Sequence, residues 1–170
     1  MLGLLFGRLT AEPRRGSALY AALAAEALQP HWFVEGGVPD TLDGRFRMLA
    51  TIVALAVVRL EQSGDEGDAA SAALIERFIE AMEADHREMG LGDPALGRTV
   101  HTLVAALDRR VDLWRRAVAG EIEWSDALQQ SAYEGAAGGR ALEHGADALR
   151  RFWARLEQSE LAAISQGRLE

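Results

Sequence analysis

Apolar residues recur at three- and four-residue steps along most of the chain, which is the spacing of amphipathic α-helices. The most regular stripe lies between residues 96 and 118, and a wider one lies between residues 42 and 60. Six helices are predicted on this basis, at about residues 18–29, 41–62, 68–89, 94–120, 126–133 and 140–158. No alternating strand pattern is present. We therefore predict an all-α fold, a single compact helical domain of five to seven helices with the second and fourth at its centre.

Residues that begin or end helices flank these stripes. Pro30 stops the first predicted helix, and Gly90 ends the third as a left-handed C-cap. Residues 63–67 are predicted to form a solvated loop between the second and third helices. The predicted N-caps are Ser17, Asp40 or Thr41, Asp93 and Ser125.

Three parts are expected along the chain: an apolar N-terminal segment at residues 1–16, a helical domain at residues 17–158, and a C-terminal tail at residues 159–170. The N-terminal segment lacks the basic start and the cleavage site of a signal peptide. Two interpretations stay open for it. It is either a short interfacial anchor or an apolar stub that packs on the body or is disordered. No apolar run is long enough to span a bilayer.

Charge and composition exclude several classes of protein. The 170 residues carry a net charge of −8, which argues against binding to nucleic acid. Cysteine is absent, so disulfides, thiolate zinc sites and thiol catalysis are excluded, and the absence of lysine removes Schiff-base and Walker-type chemistry. Residues 63–95 hold nine acids against two arginines, a net charge of −7, so the acidic excess belongs to the third helix and its flanks.

Motifs that bear on chemistry are few. Glu83 and His86 form a Glu-x-x-His, the helical spacing found twice in di-iron bundles, but no second copy exists and an acidic solvent face explains it. The arginine pairs of the fourth and sixth helices lie one turn from Asp112 and Asp147, which predicts salt bridges. We expect no catalytic constellation, no cofactor and no bound metal.

The segment at residues 31–39 is irregular because glycine and proline disfavour helix, yet it holds two adjacent aromatics, Trp32 and Phe33. One interpretation makes these residues part of an exposed apolar docking surface. The other places them as a plug in the gap between the first two helices. The two interpretations differ in whether truncating the aromatics lowers stability or weakens partner binding.

Three stretches together resemble the ubiquinol–cytochrome c chaperone family. Residues 37–49, GVPDTLDGRFRML, are close to that family's G-V-P-D-T-x-x-G-R-F segment. Residues 78–93 resemble its acidic helix and the turn that follows, and residues 128–133 are a weaker third match. Order and spacing agree over residues 17–135. The sequence departs from the family pattern at Ile52, Asp108, Arg109, Gln130 and Ser131.

The resemblance implies a non-enzymatic assembly chaperone that holds newly made cytochrome b for complex III. It also implies a bacterial protein on the cytoplasmic side, peripheral at the inner face of the membrane, since no mitochondrial targeting sequence is seen. Two other functions are kept: a helical scaffold or regulatory module that self-associates or binds a soluble partner, and a metal-dependent helical-bundle oxidoreductase.

The loop and the matched stretches supply the candidate partner-binding residues. These are Trp32, Phe33, Val38, Pro39, Asp40, Thr41, Arg45, Phe46, Asp85, Arg87, Glu88 and Asp93. The polar members also have a purely structural interpretation. Asp40 or Thr41 caps the second helix, and Arg45 pairs with Asp40 or with an acid of the third helix. Arg87 and Glu88 brace the turn at residues 90–94.

Overall fold

A computed structural model of the chain describes residues 14–88, 90, 93–133, 135 and 137–169, without the side chains of residues 93–96. Residues 1–13 of the predicted N-terminal segment therefore lie outside the described residues. The described residues form seven α-helices and one short 3-10 helix, with no strand, which confirms the all-α prediction. The helices are α1 (Ser17–Ala27), α2 (Leu42–Glu61), α3 (Gly64–Glu88), α4 (Asp93–Val118), α5 (Trp124–Ala132), α6 (Gly139–Gln158) and α7 (Leu161–Ser165), and the 3-10 helix is Pro30–Trp32.

Helix α2 lies at the centre of the fold, as predicted. It contacts α1, α3, α4, α5 and α6. Residues 48–58 are buried except for Leu49, which is half-buried. Thr51 is the only polar residue in this run, so the helix is apolar on every side and needs neighbours all round. Its hydroxyl donates 2.8 Å to the carbonyl of Arg47, which satisfies it inside the core.

Helix α4 packs against α2 mainly through its second half. Leu107, Val111, Trp114 and Ala117 are buried there. In the first half, residues 97–106 are exposed or half-buried, including Val100 and Leu103 of the predicted stripe. The central position predicted for α4 is therefore confirmed for its C-terminal half.

Several helix ends differ from the prediction. Ser17 is the first residue of α1 and Gly16 its cap, and α5 begins at Trp124 instead of after Ser125. Residues 64–67 are the first turn of α3 and not a loop. Gly64 has a φ of 64°, so the chain turns sharply after α2 and re-enters a helix at once. The turn glycine at the end of α3 is as predicted, since Gly90 has a φ of 86°.

The C-terminal residues pack on the body. Helix α7, which the sequence pattern does not predict, buries Ile164 completely and contacts α1. Arg59 of α2 donates 3.0 Å to the carbonyl of Leu156 at the end of α6. A five-residue helix is too short to show an apolar period, which is why the pattern misses it.

A buried polar cluster joins α2, α4 and α5. The Ser131 hydroxyl accepts a hydrogen bond from Trp114 Nε1 at 3.2 Å and also pairs with the Thr51 hydroxyl. Arg110 donates 2.9 Å to the Ser131 carbonyl, which caps the last turn of α5. Burial, and then the nearby charges of Arg47 and Arg109, lower the pKa of Arg110 to about 10, so the guanidinium stays charged at neutral pH.

Candidate functional site

An open apolar groove lies where α1, α2, α3 and α4 meet, and its volume is about 310 Å³. We call it the α1–α4 groove. Its lining residues are Ala24, Ala27, Leu28, Leu42, Asp43, Arg45, Phe46, Leu49, Met82, Asp85, His86 and Leu103. Leu28 is 55% exposed and Leu42 is 69% exposed, so two large apolar side chains stand open to solvent beside it. The groove is therefore an apolar surface that the described residues leave uncovered.

The groove exists because the apolar face of α2 begins at the first turn of the helix, outside the core. Leu42, Phe46 and Leu49 lie on one face of the helix at steps of four and three residues. This face starts outside the core, and the helix becomes fully buried only from residue 50. The opposite wall is formed by Met82 on α3 and Leu103 in the half-buried part of α4. The apolar face of α2 thus extends beyond the part of the helix that the described helices cover.

The N-terminus of α2 is braced by polar contacts next to the groove. The Thr41 hydroxyl accepts a hydrogen bond from the Gly44 N–H at 3.1 Å, which makes Thr41 the N-cap. Arg45 donates 2.7 Å to Asp40, and this hydrogen bond lowers the pKa of the Asp40 carboxyl. Of the two partners expected for Arg45, the structure therefore shows Asp40.

The candidate residues of the matched stretches divide by position. Arg45, Phe46 and Asp85 line the groove. Pro39, Asp40 and Thr41 are exposed just before α2, and Arg87 and Glu88 are exposed at the end of α3. Arg87 lies 3.5 Å from Glu83, one turn earlier, in an ion pair. The side chain of Asp93 lies outside the described residues, as do Met89, Leu91 and Gly92 of the same turn.

Three candidate residues of the loop, Trp32, Phe33 and Val38, lie in or against the core. Trp32 is 1% exposed and its Nε1 donates 2.8 Å to the carbonyl of Glu26. Val38 is also buried, and Phe33 is half-buried against the core. This burial favours the interpretation in which Trp32 and Phe33 are a structural plug over the one in which they form an exposed docking surface. Val34, at 75% exposed, is the open apolar residue of the loop, and it does not line the groove.

Sequence reasoning missed Leu28, Leu42, Leu49, Met82, His86 and Leu103 as site residues. Apolar periodicity marked most of them, but it assigned them to the core. One signal for the groove was available in the sequence. The apolar stripe of α2 begins in the first turn of the helix, at a point where the described residues do not cover it.

The Glu-x-x-His of α3 is used within the helix. His86 Nδ1 lies 2.7 Å from the carbonyl of Met82, and Glu83 pairs with Arg87. Among the residues that the structure describes, no group of three or more histidines, aspartates or glutamates is placed to hold a metal ion. Two of the salt bridges predicted for the arginine pairs are present, Arg115 with Asp112 and Arg150 with Asp147, whereas Arg116 pairs with Glu121.

Two histidines far apart in sequence meet behind the loop. His31 Nδ1 lies 3.2 Å from His144 Nε2 of α6, and the His31 ring packs on Trp32 with centroids 4.2 Å apart. Burial, and then the closeness of His144, lower the pKa of His31 below its ordinary value. The folded state therefore favours the neutral imidazole.

We expect the free energy of unfolding to fall as the pH drops below about 6.5, the ordinary histidine pKa. The reason is that the unfolded chain, in which His31 has that ordinary pKa, takes up the proton more readily. The measurement is urea unfolding of the wild type and the His31→Gln variant between pH 7.5 and 5.5. The variant should lose less stability over this interval. His101→Gln, at an exposed position on α4, is the matched control, and an equal loss in all three chains would contradict the assignment.

No helix of the described residues is both long and apolar enough to cross a membrane.

Comparison with known proteins gives one family and one fold relative. The family model described as Ubiquinol-cytochrome C chaperone matches residues 34–170, most of the chain. Among solved structures, the chain is similar to the crystal structure of the Cbp3 homolog from Brucella abortus, with a TM-score of 0.76 and 22% identity over 100% of this chain and 96% of that one. At that identity the likeness shows the fold. No curated protein matches.

Proposed function

The chain belongs to the ubiquinol–cytochrome c chaperone family, and from this membership we propose that it is a non-enzymatic assembly chaperone of complex III that holds newly made cytochrome b. The α1–α4 groove is the place where the client docks. The protein binds its client at the cytoplasmic face of the membrane. It associates with that surface peripherally.

The observation that carries this proposal is the pair of exposed leucines beside the groove. A folded monomer normally covers contiguous apolar surface, and a surface left open marks a binding site. Here Leu28 and Leu42 stand open next to an apolar floor that includes Phe46 and Leu49. An unassembled membrane subunit exposes apolar segments of its own, so the two surfaces are matched in chemistry.

The position of the groove adds support. Its α2 wall lies within residues 37–49, the stretch closest to the family's own motif. Within that motif, Thr41 and Gly44 build the start of α2, while Arg45 and Phe46 line the groove. The motif thus has one part that shapes the helix end and one part that meets the client.

We expect the double variant Leu28→Ser, Leu42→Ser to lose client capture while keeping its fold. Burying a leucine contributes about 1.5–3 kcal/mol, and both residues are more than half exposed, so together they are worth about tenfold in affinity or more. The measurement is purification of the tagged chain from native membranes, with quantification of cytochrome b by mass spectrometry. Circular dichroism checks that the variant is folded.

The matched control is Val34→Ser, which removes an equally open apolar side chain outside the groove. It should capture cytochrome b as the wild type does. Unchanged capture by the double variant, or equal loss in the control, would contradict the docking site. A wild type that is a dimer, becomes a monomer in the double variant and never carries cytochrome b would favour the self-associating scaffold instead.

A further inference from the structure

We propose that the α1–α4 groove takes its client as an amphipathic helix, with apolar residues along one face and a lysine or arginine beside them that pairs with Asp85. This inference rests on the proposed function, because it describes the segment that the docking site accepts. It concerns the chemistry of that segment and not the identity of the subunit that carries it.

The walls of the groove favour a helical segment. Every wall is an α-helix, in which the backbone N–H and C=O groups, apart from those of the end turns, are bonded within the helix. The described residues contain no strand edge to which an extended segment can bond. The backbone groups of a segment on the side that faces this apolar groove therefore need partners within the segment itself, and a helix supplies them.

The size of the groove indicates how much of the helix enters. A volume of about 310 Å³ is at the lower end for small-ligand pockets and does not enclose a chain segment. It accommodates one row of apolar side chains, those at i, i+3 or i+4, and i+7 of a helix that lies across it. The exposed Leu28 and Leu42 then contact the flanks of the same helix face.

Asp85 gives the groove its charge preference. The other charged groups of the lining are already engaged, Asp43 with Arg47 at 2.5 Å and Arg45 with Asp40 at 2.7 Å. The His86 ring is bonded to the Met82 carbonyl. Asp85 is exposed on the lining and makes no hydrogen bond or ion pair within the part of the chain that the structure describes.

The surroundings of Asp85 reinforce this preference. It lies on α3, in the stretch of residues 63–95 that has nine acids against two arginines. A partner with basic residues is attracted to such a surface and a partner with acidic residues is repelled. Membrane subunits carry their excess of lysine and arginine at the cytoplasmic ends of their helices. The segment with both required features is therefore the cytoplasmic end of a client transmembrane helix.

The test uses the full chain and fluorescent synthetic peptides of 18 residues that share one apolar helix face. The peptides differ at one flanking position, which is lysine, glutamine or glutamate, and binding is followed by anisotropy at low ionic strength. We expect the lysine peptide to bind about fivefold more tightly than the glutamate peptide, since the added pair is exposed, and we expect salt to reduce the difference. A lysine peptide interrupted by proline should bind far more weakly.

Substitutions at Asp85 make the test specific. Asp85→Asn should remove the preference for lysine, and Asp85→Lys should reverse it so that the glutamate peptide binds best. Asp68→Asn is the matched control, because Asp68 is an exposed aspartate on the same helix outside the groove. A preference that persists in Asp85→Lys, or full binding of the proline peptide, would overturn the inference. The inference would also be overturned if the wild-type chain is a dimer and the lysine peptide separates it into monomers, because a second copy of the chain would then be the occupant of the groove.

Capture of cytochrome b, measured in parallel, separates the two proposals. If cytochrome b co-purifies but no peptide shows a preference that depends on Asp85, the inference fails and the assembly function stands. If the peptides bind as expected but cytochrome b never co-purifies, the docking chemistry stands and the assignment of the client fails.

Discussion

Replacement of Trp32 by alanine is expected to lower the free energy of unfolding by about 3–5 kcal/mol, the usual cost of removing a large aromatic side chain from a core. Trp32 is 1% exposed and belongs to the hydrophobic core. The substitution also removes the indole donor that bonds the Glu26 carbonyl at the C-terminal end of α1. The measurement is urea unfolding at neutral pH, followed by circular dichroism.

Phe33→Ala is the comparison, because Phe33 is only half-buried and its truncation should cost clearly less stability. Client capture per folded molecule is expected to stay unchanged in both variants. A folded Trp32→Ala protein with nearly wild-type stability and poor capture of cytochrome b would show that Trp32 belongs to the docking surface after all.

Gly44→Ala is expected to destabilise the chain by about 1–3 kcal/mol, although alanine normally favours a helix. A methyl group at Gly44 would clash with the carbonyl oxygen of Pro39, a backbone atom that cannot move without moving the segment before α2. The same shift would lengthen the 3.1 Å hydrogen bond from the Gly44 N–H to the Thr41 hydroxyl. The glycine of the family-like motif is therefore explained by close backbone approach.

Gly97→Ala is the matched control for that substitution. Gly97 lies within α4, is exposed, and has no atom within 4 Å of the position where a methyl group would be added. Alanine there should stabilise the chain by about 0.4–1 kcal/mol. Thermal unfolding of the two variants should thus show shifts of opposite sign, and a gain of stability in Gly44→Ala would contradict the role assigned to it.

The sequence predicts where helices lie better than it predicts how they end. Long apolar stripes identified α2 and α4 and the position of α2 at the centre, because periodicity reflects which face is buried. The cap at Thr41 was among the alternatives, but Ser17 and Ser125 lie inside helices. Serine is a favourable N-cap only where its own backbone is non-helical, and here Gly16 and Glu123 occupy the N-cap position instead.

The α1–α4 groove could not be predicted from the apolar periodicity of the sequence. An apolar stripe shows that a face avoids water in the final assembly, but it does not show whether the neighbour comes from the same chain. Leu42 and Leu49 follow the same period as buried residues further along α2, yet Leu42 is 69% exposed. The family-like motif pointed to Arg45 and Phe46, which line the groove, and equally to Val38, which is buried.

Contacts between distant segments were also hidden. His31 and His144 are separated by 113 positions, and Thr51 and Ser131 by 80. The sequence around each residue does not indicate either contact, because a single serine or histidine on a helix is interpreted as lying at the boundary between core and solvent. Ser131 even stood out as a departure from the family pattern, and the structure shows that it accepts the Trp114 indole N–H inside the core.

The α1–α4 groove draws its walls from four helices that are brought together only by the complete fold. An unfolded chain has no such site, so a client helix binds the folded state alone. A client present at a hundred times its Kd therefore adds about 2.7 kcal/mol to the free energy of unfolding by mass action. Because proteases remove the unfolded fraction continuously, occupied molecules outlive empty ones. The abundance of this chaperone would then follow the supply of subunits still waiting to be assembled.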